Sequence, residues 1–282
     1  MHWRSPRGPV NRPADIAPPV CPRGAPRLRA LYGALALCVA TQSATAWEID
    51  FHYYVVYLLL RARGYSAADS HQLAGFSQYI DDNKDTEPIF QPAGVRAKFH
   101  FDGSAENQAT PKKGVDGQKQ IADAFAKFAS NPATGKFDVG AALHREADTF
   151  SHAGFTAWWN SAINRRTGSW FRPDIGHADD EDSGHRPDWP HRDPPNALAA
   201  AEWLYRAIPA GGPAVVPWEE LRAELKAAFD AVPSGKTESA KFRVPLIRAI
   251  TTKRFTDDPN VTYDVNEFDQ QSDAFEKELS LQ

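Results

Sequence analysis

A stripe of metal-binding side-chain types on one predicted helix constrains this chain more than any other sequence feature. His144, Asp148 and His152 stand four residues apart in the segment His144-Arg-Glu-Ala-Asp148-Thr-Phe-Ser-His152. In an α-helix, residues four apart stack on one face, with about 6 Å of rise at each step. Zinc favours neutral nitrogen and carboxylate oxygen donors. The spacing therefore predicts a metal-binding helix, and the alternative is a polar helix face that is simply solvated.

The first 46 residues have the composition of a secretory signal peptide. Six arginines and one acid precede an apolar run from Ala30 to Ala40, and the small-residue sequence Ala44-Thr45-Ala46 follows. A basic region, a short apolar region and an A-x-A site mark such peptides, and the run is shorter than the ~20 apolar residues that span a bilayer. We expect cleavage after Ala46 and a secreted or periplasmic domain of residues 47–282 without a stable transmembrane anchor. The alternative is a short N-terminal anchor that remains uncleaved.

The composition of the remaining chain limits both its metal ligands and its partners. Cleavage removes Cys21 and Cys38, the only two cysteines, so any metal must be held by His, Asp, Glu or the chain terminus. The removed segment carries six of the 32 basic and one of the 36 acidic residues, which leaves a net charge of −9. An acidic surface excludes strong nonspecific binding to nucleic acid or anionic membranes. Bound cations can still make one pocket locally positive.

Apolar periodicity predicts an all-α, single-domain fold with long loops at residues 84–117 and 165–195. Residues Phe51 to Arg63 are apolar and aromatic almost throughout and end at Gly64, as a buried helix with a glycine stop would. Ser66 fits the N-cap of the next helix. The further predicted helices span residues 66–80, 118–129, 138–155, 197–208, 217–232, 239–255 and 265–279.

Short motifs give the chain a resemblance to a known superfamily. They are Asp-Phe-His-Tyr-Tyr at 50–54, Ser-Gln-Tyr-Ile-Asp-Asp-Asn at 77–83, the segment at 144–152, and Ile-Gly-His-Ala-Asp at 175–179. The chain resembles the zinc-dependent phospholipase C and single-strand nuclease superfamily, whose members are all-α hydrolases with a three-zinc cluster. The likeness covers most of residues 47–192 and is closest to a bacterial branch of unknown function.

The resemblance implies a set of zinc ligands. In the superfamily, the amino group and carbonyl of an N-terminal tryptophan bind one zinc ion together with a nearby histidine. Trp47 and His52 stand in those places. The resemblance further implies that the aspartate on the motif helix bridges two ions. The second ion would be held by His100, His144, Asp148 and either Asp81 or Asp82.

The third ion would take His152, His177 and an acid near His177, but here the chain departs from the superfamily pattern. Members usually have five residues between the bridging aspartate and the next histidine, whereas three separate Asp148 from His152. Their later ligand pair is commonly His-x3-acid on a helix, while His177 lies in a predicted loop. His177 with Glu181 keeps that spacing, and Asp188 could supply the carboxylate instead.

The resemblance predicts two to three zinc ions and phosphodiester hydrolysis. Two zinc ions about 3.5–4 Å apart activate water and polarise phosphoryl oxygens, and Asp81 or Asp82 would orient or deprotonate the attacking water. The substrate would be a small phosphodiester, a phospholipid head group or a single-stranded nucleic acid, with no obligate protein partner. Two alternatives stay open because a fold does not fix a function. They are a metallohydrolase of another ester or amide, and a noncatalytic exported protein with structural zinc.

Two further residues are interpreted from their local context. Asp50 precedes an apolar helix and is interpreted as its N-cap, the alternative being that it completes the metal site. His71, on the helix after Ser66, is predicted to be an ordinary exposed histidine.

Overall fold

Helices make up most of the chain that the structure describes. The computed structural model describes residues 47–86, 98–100, 115–151, 189–232 and 239–280, and these contain no β-strand. A π-helix spans Asp50–Val55, and a short 3-10 helix spans Pro190–Arg192. The predicted all-α fold is confirmed for these residues. The eight α-helices within the described residues are α1 (Val56–Ala62), α2 (Ala67–Asp82), α3 (Val115–Ser130), α4 (Pro132–Ser151), α5 (Pro194–Ala207), α6 (Trp218–Asp230), α7 (Ser239–Arg254) and α8 (Val265–Ser280).

Local capping explains where several of these helices begin and end. Gly64 has a φ of +87° directly after α1, a left-handed conformation that glycine adopts without a steric penalty. The Ser66 hydroxyl accepts a hydrogen bond from the Asp69 amide at 3.0 Å, so Ser66 is the N-cap of α2 as predicted. The predicted start of α4 at residue 138 was too late. The helix begins at Pro132, since proline suits the first turn, where its missing N–H costs nothing.

All six residues of the π-helix at Asp50–Val55 are buried. The π-helix continues directly into α1. Phe51 lies 6.0 Å from Phe229 of α6, measured between ring centroids, and the two rings are stacked. Tyr53 contacts α2 through His71. The π-helix therefore has neighbours on several sides, which explains why four of its six residues are apolar or aromatic.

Two local interpretations are wrong, that of Asp50 because the helix already includes this residue and that of His71 because a C-terminal helix covers it. Asp50 is itself the first residue of the π-helix and is not its N-cap; its carboxylate faces Arg243 of α7 at 3.4 Å. His71 is buried, with 8 % of its surface exposed. Its Nε2 donates to the Glu267 carboxylate of α8 at 3.0 Å, and its Nδ1 accepts from the Tyr53 hydroxyl at 2.6 Å.

The predicted processing of the chain lies outside the described residues. Residues 1–46, which include the expected signal peptide, are not among them, so cleavage after Ala46 stays a prediction. The described residues all belong to one compact unit, residues 43–282. Among the described helices, none is both long enough and apolar enough to cross a membrane.

Candidate metal centre

Four separate segments bring five of the predicted ligands together in the protein interior. The π-helix supplies one histidine, the end of α2 one aspartate, the segment 98–100 a second histidine, and α4 a histidine and an aspartate. Each of these side chains is at most 2 % exposed. The five residues are His52, Asp81, His100, His144 and Asp148.

Four of these five side chains each direct one nitrogen or oxygen atom at a common point. They are Asp81, His100, His144 and Asp148. His144 Nε2 lies 3.0 Å from His100 Nδ1 and 3.3 Å from Asp148 Oδ2. His100 Nδ1 lies 3.1 Å from the same Asp148 oxygen. Asp81 Oδ1 lies 3.5 Å from His144 Nε2 and 3.8 Å from His100 Nδ1.

Backbone carbonyl groups fix which imidazole nitrogens face this point. His144 Nδ1 lies 2.8 Å from the carbonyl oxygen of Ser77, and His100 Nε2 lies 2.7 Å from that of Thr86. A carbonyl oxygen only accepts, so both of these nitrogens carry the hydrogen and donate it. In a neutral imidazole the other nitrogen then presents a lone pair. With both rings neutral, the convergent atoms are all electron-pair donors, an arrangement that could hold a cation.

The spacing of the donors fits a tetrahedral zinc ion. With Zn–N and Zn–O bonds of about 2.0–2.1 Å, neighbouring donors around a tetrahedral ion lie about 3.3 Å apart. The separations given above run from 3.0 to 3.8 Å. Metal-bound histidines also usually donate their second N–H to a carbonyl or carboxylate group, as His144 and His100 do. The residues present therefore fit a metal ion.

Asp148 connects this four-donor set to a second group. Its Oδ1 lies 3.2 Å from His52 Nε2, while its Oδ2 faces His100 and His144. The ring of His52 stacks on that of His144, with the centroids 4.1 Å apart. Two groups could each hold a metal ion, because the ligand atoms within each lie within 4.8 Å of one another: Asp81, His100 and His144, and His52, His144 and Asp148.

Burial and the surrounding imidazoles set the charge of the cluster. Burial lowers the pKa of His144 to about 3, so its imidazole is neutral at pH 7. Burial alone would raise the pKa of Asp148, but the imidazoles of His144, His100 and His52 outweigh it and hold that pKa well below its ordinary value. A neutral histidine and an ionised carboxylate are the protonation states that bind metal.

The other predicted site residues lie elsewhere or outside the described residues. Trp47 is 2 % exposed and packs on Phe51, with ring centroids 3.9 Å apart; its backbone role as a ligand stays a prediction. Asp82 is exposed at the end of α2, where Gln78 donates to it at 3.3 Å. The proposed ligands of a third ion, His152, His177, Glu181 and Asp188, lie outside the described residues.

Sequence reasoning missed the two groups that orient the histidines. The carbonyl oxygens of Ser77 and Thr86 fix the His144 and His100 rings, but a backbone carbonyl leaves no trace in residue type. Ser77 does open the quoted motif at 77–83, and that position is the only signal that could have drawn attention to it.

Close contact between α4 and α2 allows His144 to reach Ser77. A Cβ atom added to Gly140 would lie 2.5 Å from Cβ of Phe76 and 2.8 Å from the Ser77 amide nitrogen. These neighbours are tied to the α2 backbone and have little freedom to move. We expect Gly140→Ala to cost about 1–3 kcal/mol of unfolding free energy through overpacking, which exceeds the ~1 kcal/mol gained in helix propensity. Urea denaturation and zinc titration measure both consequences.

The matched control for this substitution is Gly75→Ala, also in a helix contact. A Cβ there would meet the ring of Phe268 from α8, away from the cluster. We expect Gly75→Ala to lower stability while leaving zinc affinity unchanged, whereas Gly140→Ala lowers both. Wild-type stability of Gly140→Ala would contradict the close contact between α4 and α2.

Comparison with known proteins finds similarity in one part of the chain. A family described as a family of unknown function, DUF6765, matches residues 47–125. The matched segment includes His52, Asp81 and His100 but ends before His144 and Asp148. No curated protein and no solved structure matches the chain.

Proposed function

We propose that the protein is an exported, zinc-dependent hydrolase of phosphodiesters. The observation that carries the proposal is the convergence of four buried donors whose histidine tautomers are fixed by carbonyl groups. A cation at this point would bind donor atoms that lie only 3.0–3.3 Å apart. The motif resemblance to zinc-dependent phospholipase C and nucleases supplies the reaction class.

The proposal assigns the ligands to two ions within the described residues. One ion is held by Asp81, His100, His144 and Oδ2 of Asp148. The other is held by Oδ1 of Asp148 and by His52, with the amino group and carbonyl of Trp47 completing the site as the resemblance implies. A third ion would use His152, His177 and either Glu181 or Asp188.

Each side chain then has a definite task in hydrolysis. Bound zinc supplies an activated water and polarises the phosphoryl oxygens. The reaction joins a water oxygen to phosphorus, breaks one P–O ester bond, and passes one proton to the leaving oxygen. Asp148 holds its negative charge between the two donor groups. Of the two carboxylates expected to handle the proton, Asp81 lies among the ligands, so the exposed Asp82 is better placed to exchange a proton with solvent.

Hydrolysis of a chromogenic bis-aryl phosphodiester tests the proposal. We expect the purified protein to release the phenolate, to lose this activity in a chelator, and to recover it when zinc is added back. Phospholipid and single-stranded DNA, assayed in parallel, identify the substrate class. If the zinc-loaded protein cleaves none of these three substrates, phosphodiester hydrolysis is refuted. Cleavage of an aryl carboxylic ester instead would support a metallohydrolase of another ester or amide.

A noncatalytic role with structural zinc is the second candidate, and the burial of the donors favours it. Asp81, His100, His144 and Asp148 are each at most 2 % exposed and would close a four-coordinate site, as structural zinc sites do, whereas catalytic sites keep an open position. X-ray absorption spectroscopy distinguishes the two. An exchangeable water on zinc supports catalysis, and a shell made of protein atoms alone supports a structural role.

A further inference from the structure

A buried ion pair holds the π-helix on the side away from the candidate metal centre. Arg243 Nε lies 3.4 Å from Asp50 Oδ2, and both side chains are 0 % exposed. Asp50 and His52 are two residues apart, and residues at this spacing do not face the same side of a helix. Asp50 faces α7, while His52 faces Asp148 of α4. The π-helix is therefore fixed between a charge pair on one side and the metal cluster on the other.

Arg243 is itself fixed by groups at the end of α6. Its Nη1 donates to the carbonyl of Ala228 at 3.1 Å, and its Nη2 donates to that of Ala231 at 3.3 Å. His191 Nδ1 lies 3.2 Å from the same Nη2. A cation at a helix C-terminus is stabilised by the partial negative charge of the last carbonyl groups. The guanidinium therefore has a defined position from which to hold Asp50.

The segment that contains Trp189 and His191 also contacts the turn that leads into the π-helix. Trp189 Nε1 donates to the Glu48 carboxylate at 3.1 Å. The Glu48 carbonyl in turn accepts from the amides of Phe51 at 2.8 Å and His52 at 3.2 Å. The first turn, which carries the His52 backbone, is thus attached to the C-terminal half of the chain at both Glu48 and Asp50.

We propose that Arg243 is a positioning residue for His52. It holds Asp50, and with it the π-helix, so that His52 Nε2 faces Oδ1 of Asp148. π-Helices are rare, short and often found at functional sites, and the contacts of Asp50 and Glu48 fix the position of this one. The inference rests on the proposed two-ion centre. It adds that the position of His52, a ligand of one ion, depends on Arg243, which contacts neither ion.

Zinc titration of Arg243→Met against a competing chelator tests this role. We expect the zinc ion at His52 to bind about 10–100-fold more weakly, the range found when outer-shell partners of a metal site are removed. The ion held by Asp81, His100 and His144 should keep its wild-type affinity. Arg243→Lys, which retains the charge, should recover part of the loss.

The double variant Asp50→Asn/Arg243→Met separates positioning from simple destabilisation. Removing one partner of a buried pair leaves an uncompensated charge, whereas removing both does not. We expect the double variant to regain thermal stability relative to Arg243→Met and still to bind the His52 ion weakly. Recovery of wild-type affinity for both ions in the double variant would overturn the proposal, and so would wild-type affinity in Arg243→Met.

The matched control is a second buried ion pair, in α1, which continues from the π-helix. Arg61 of α1 lies 3.7 Å from Asp258, and the two side chains are 7 % and 4 % exposed. Arg61→Met should lower stability and leave both zinc affinities unchanged. Equal loss of the His52 ion in Arg61→Met and Arg243→Met would show that the effect is general destabilisation, which contradicts a specific role for Arg243.

Hydrogen exchange in the metal-free protein gives a readout that needs no zinc. Arg243→Met should speed exchange of the Phe51 and His52 amides by at least about tenfold relative to amides in α4. The reason is that the hydrogen bonds from these two amides to the Glu48 carbonyl would open locally more often. Arg61→Met should leave them unchanged. If wild-type protein binds no zinc, the proposed function fails while this experiment still decides the role of Arg243. Unchanged exchange in Arg243→Met would then refute it.

Discussion

Removal of bound metal is expected to lower the melting temperature strongly, and adding zinc back should restore it. The buried donor atoms around Asp148 lie 3.0–3.3 Å apart, so a bound cation would tie the residues that carry them together. A ligand that binds only the folded state stabilises it by about 4 kcal/mol when its free concentration is 1,000 times its dissociation constant. Calorimetry with and without chelator, together with elemental analysis, measures the effect.

The choice of metal provides the control. We expect two to three zinc ions per folded chain, and we expect magnesium to restore little of the lost stability, because magnesium takes oxygen ligands in octahedral geometry while His100 and His144 offer nitrogen. Less than one metal ion per folded chain, with an unchanged melting temperature in chelator, would contradict the metal centre.

Asp148→Asn is expected to have the largest effect on activity of any single substitution. The change keeps the size of the side chain but removes its negative charge. In the wild type, one carboxylate oxygen of Asp148 faces His52, and the other faces His100 and His144. Loss of an outer-shell partner already costs about 10–100-fold in affinity or activity, so loss of a bridging ligand should exceed the upper end of that range. Rates with the bis-aryl phosphodiester and zinc content per chain measure it.

Glu146→Gln is the matched control for Asp148→Asn. Glu146 lies two residues earlier on α4, is 8 % exposed, and accepts a hydrogen bond from Trp203 at 3.2 Å. It is a buried carboxylate outside both metal-binding groups. We expect Glu146→Gln to keep wild-type zinc content and activity. A near wild-type rate in Asp148→Asn would show that Asp148 does not bridge two ions.

The sequence by itself determined that these helices exist and which residue types form the candidate metal centre. Apolar spacing, Ser66 as an N-cap and Gly64 as a stop act over a few residues, so they operate the same way in any tertiary context. The four-residue step from His144 to Asp148 likewise guarantees a shared helix face. The motif resemblance selected His52 and His100 as partners, which are distant in the chain and have no local signal of their own.

Only the tertiary structure decided which side of each helix turns inward. Asp81 and Asp82 are neighbours on α2 and differ in direction by about 100°, and the sequence left both open. Packing of α2 against α4 buries Asp81 and leaves Asp82 exposed. In the same way, α8 covers His71 and α7 brings Arg243 to Asp50. Local sequence sets helical periodicity, but the burial of a given face depends on partners that lie up to about two hundred residues away, and only the folded chain brings them together.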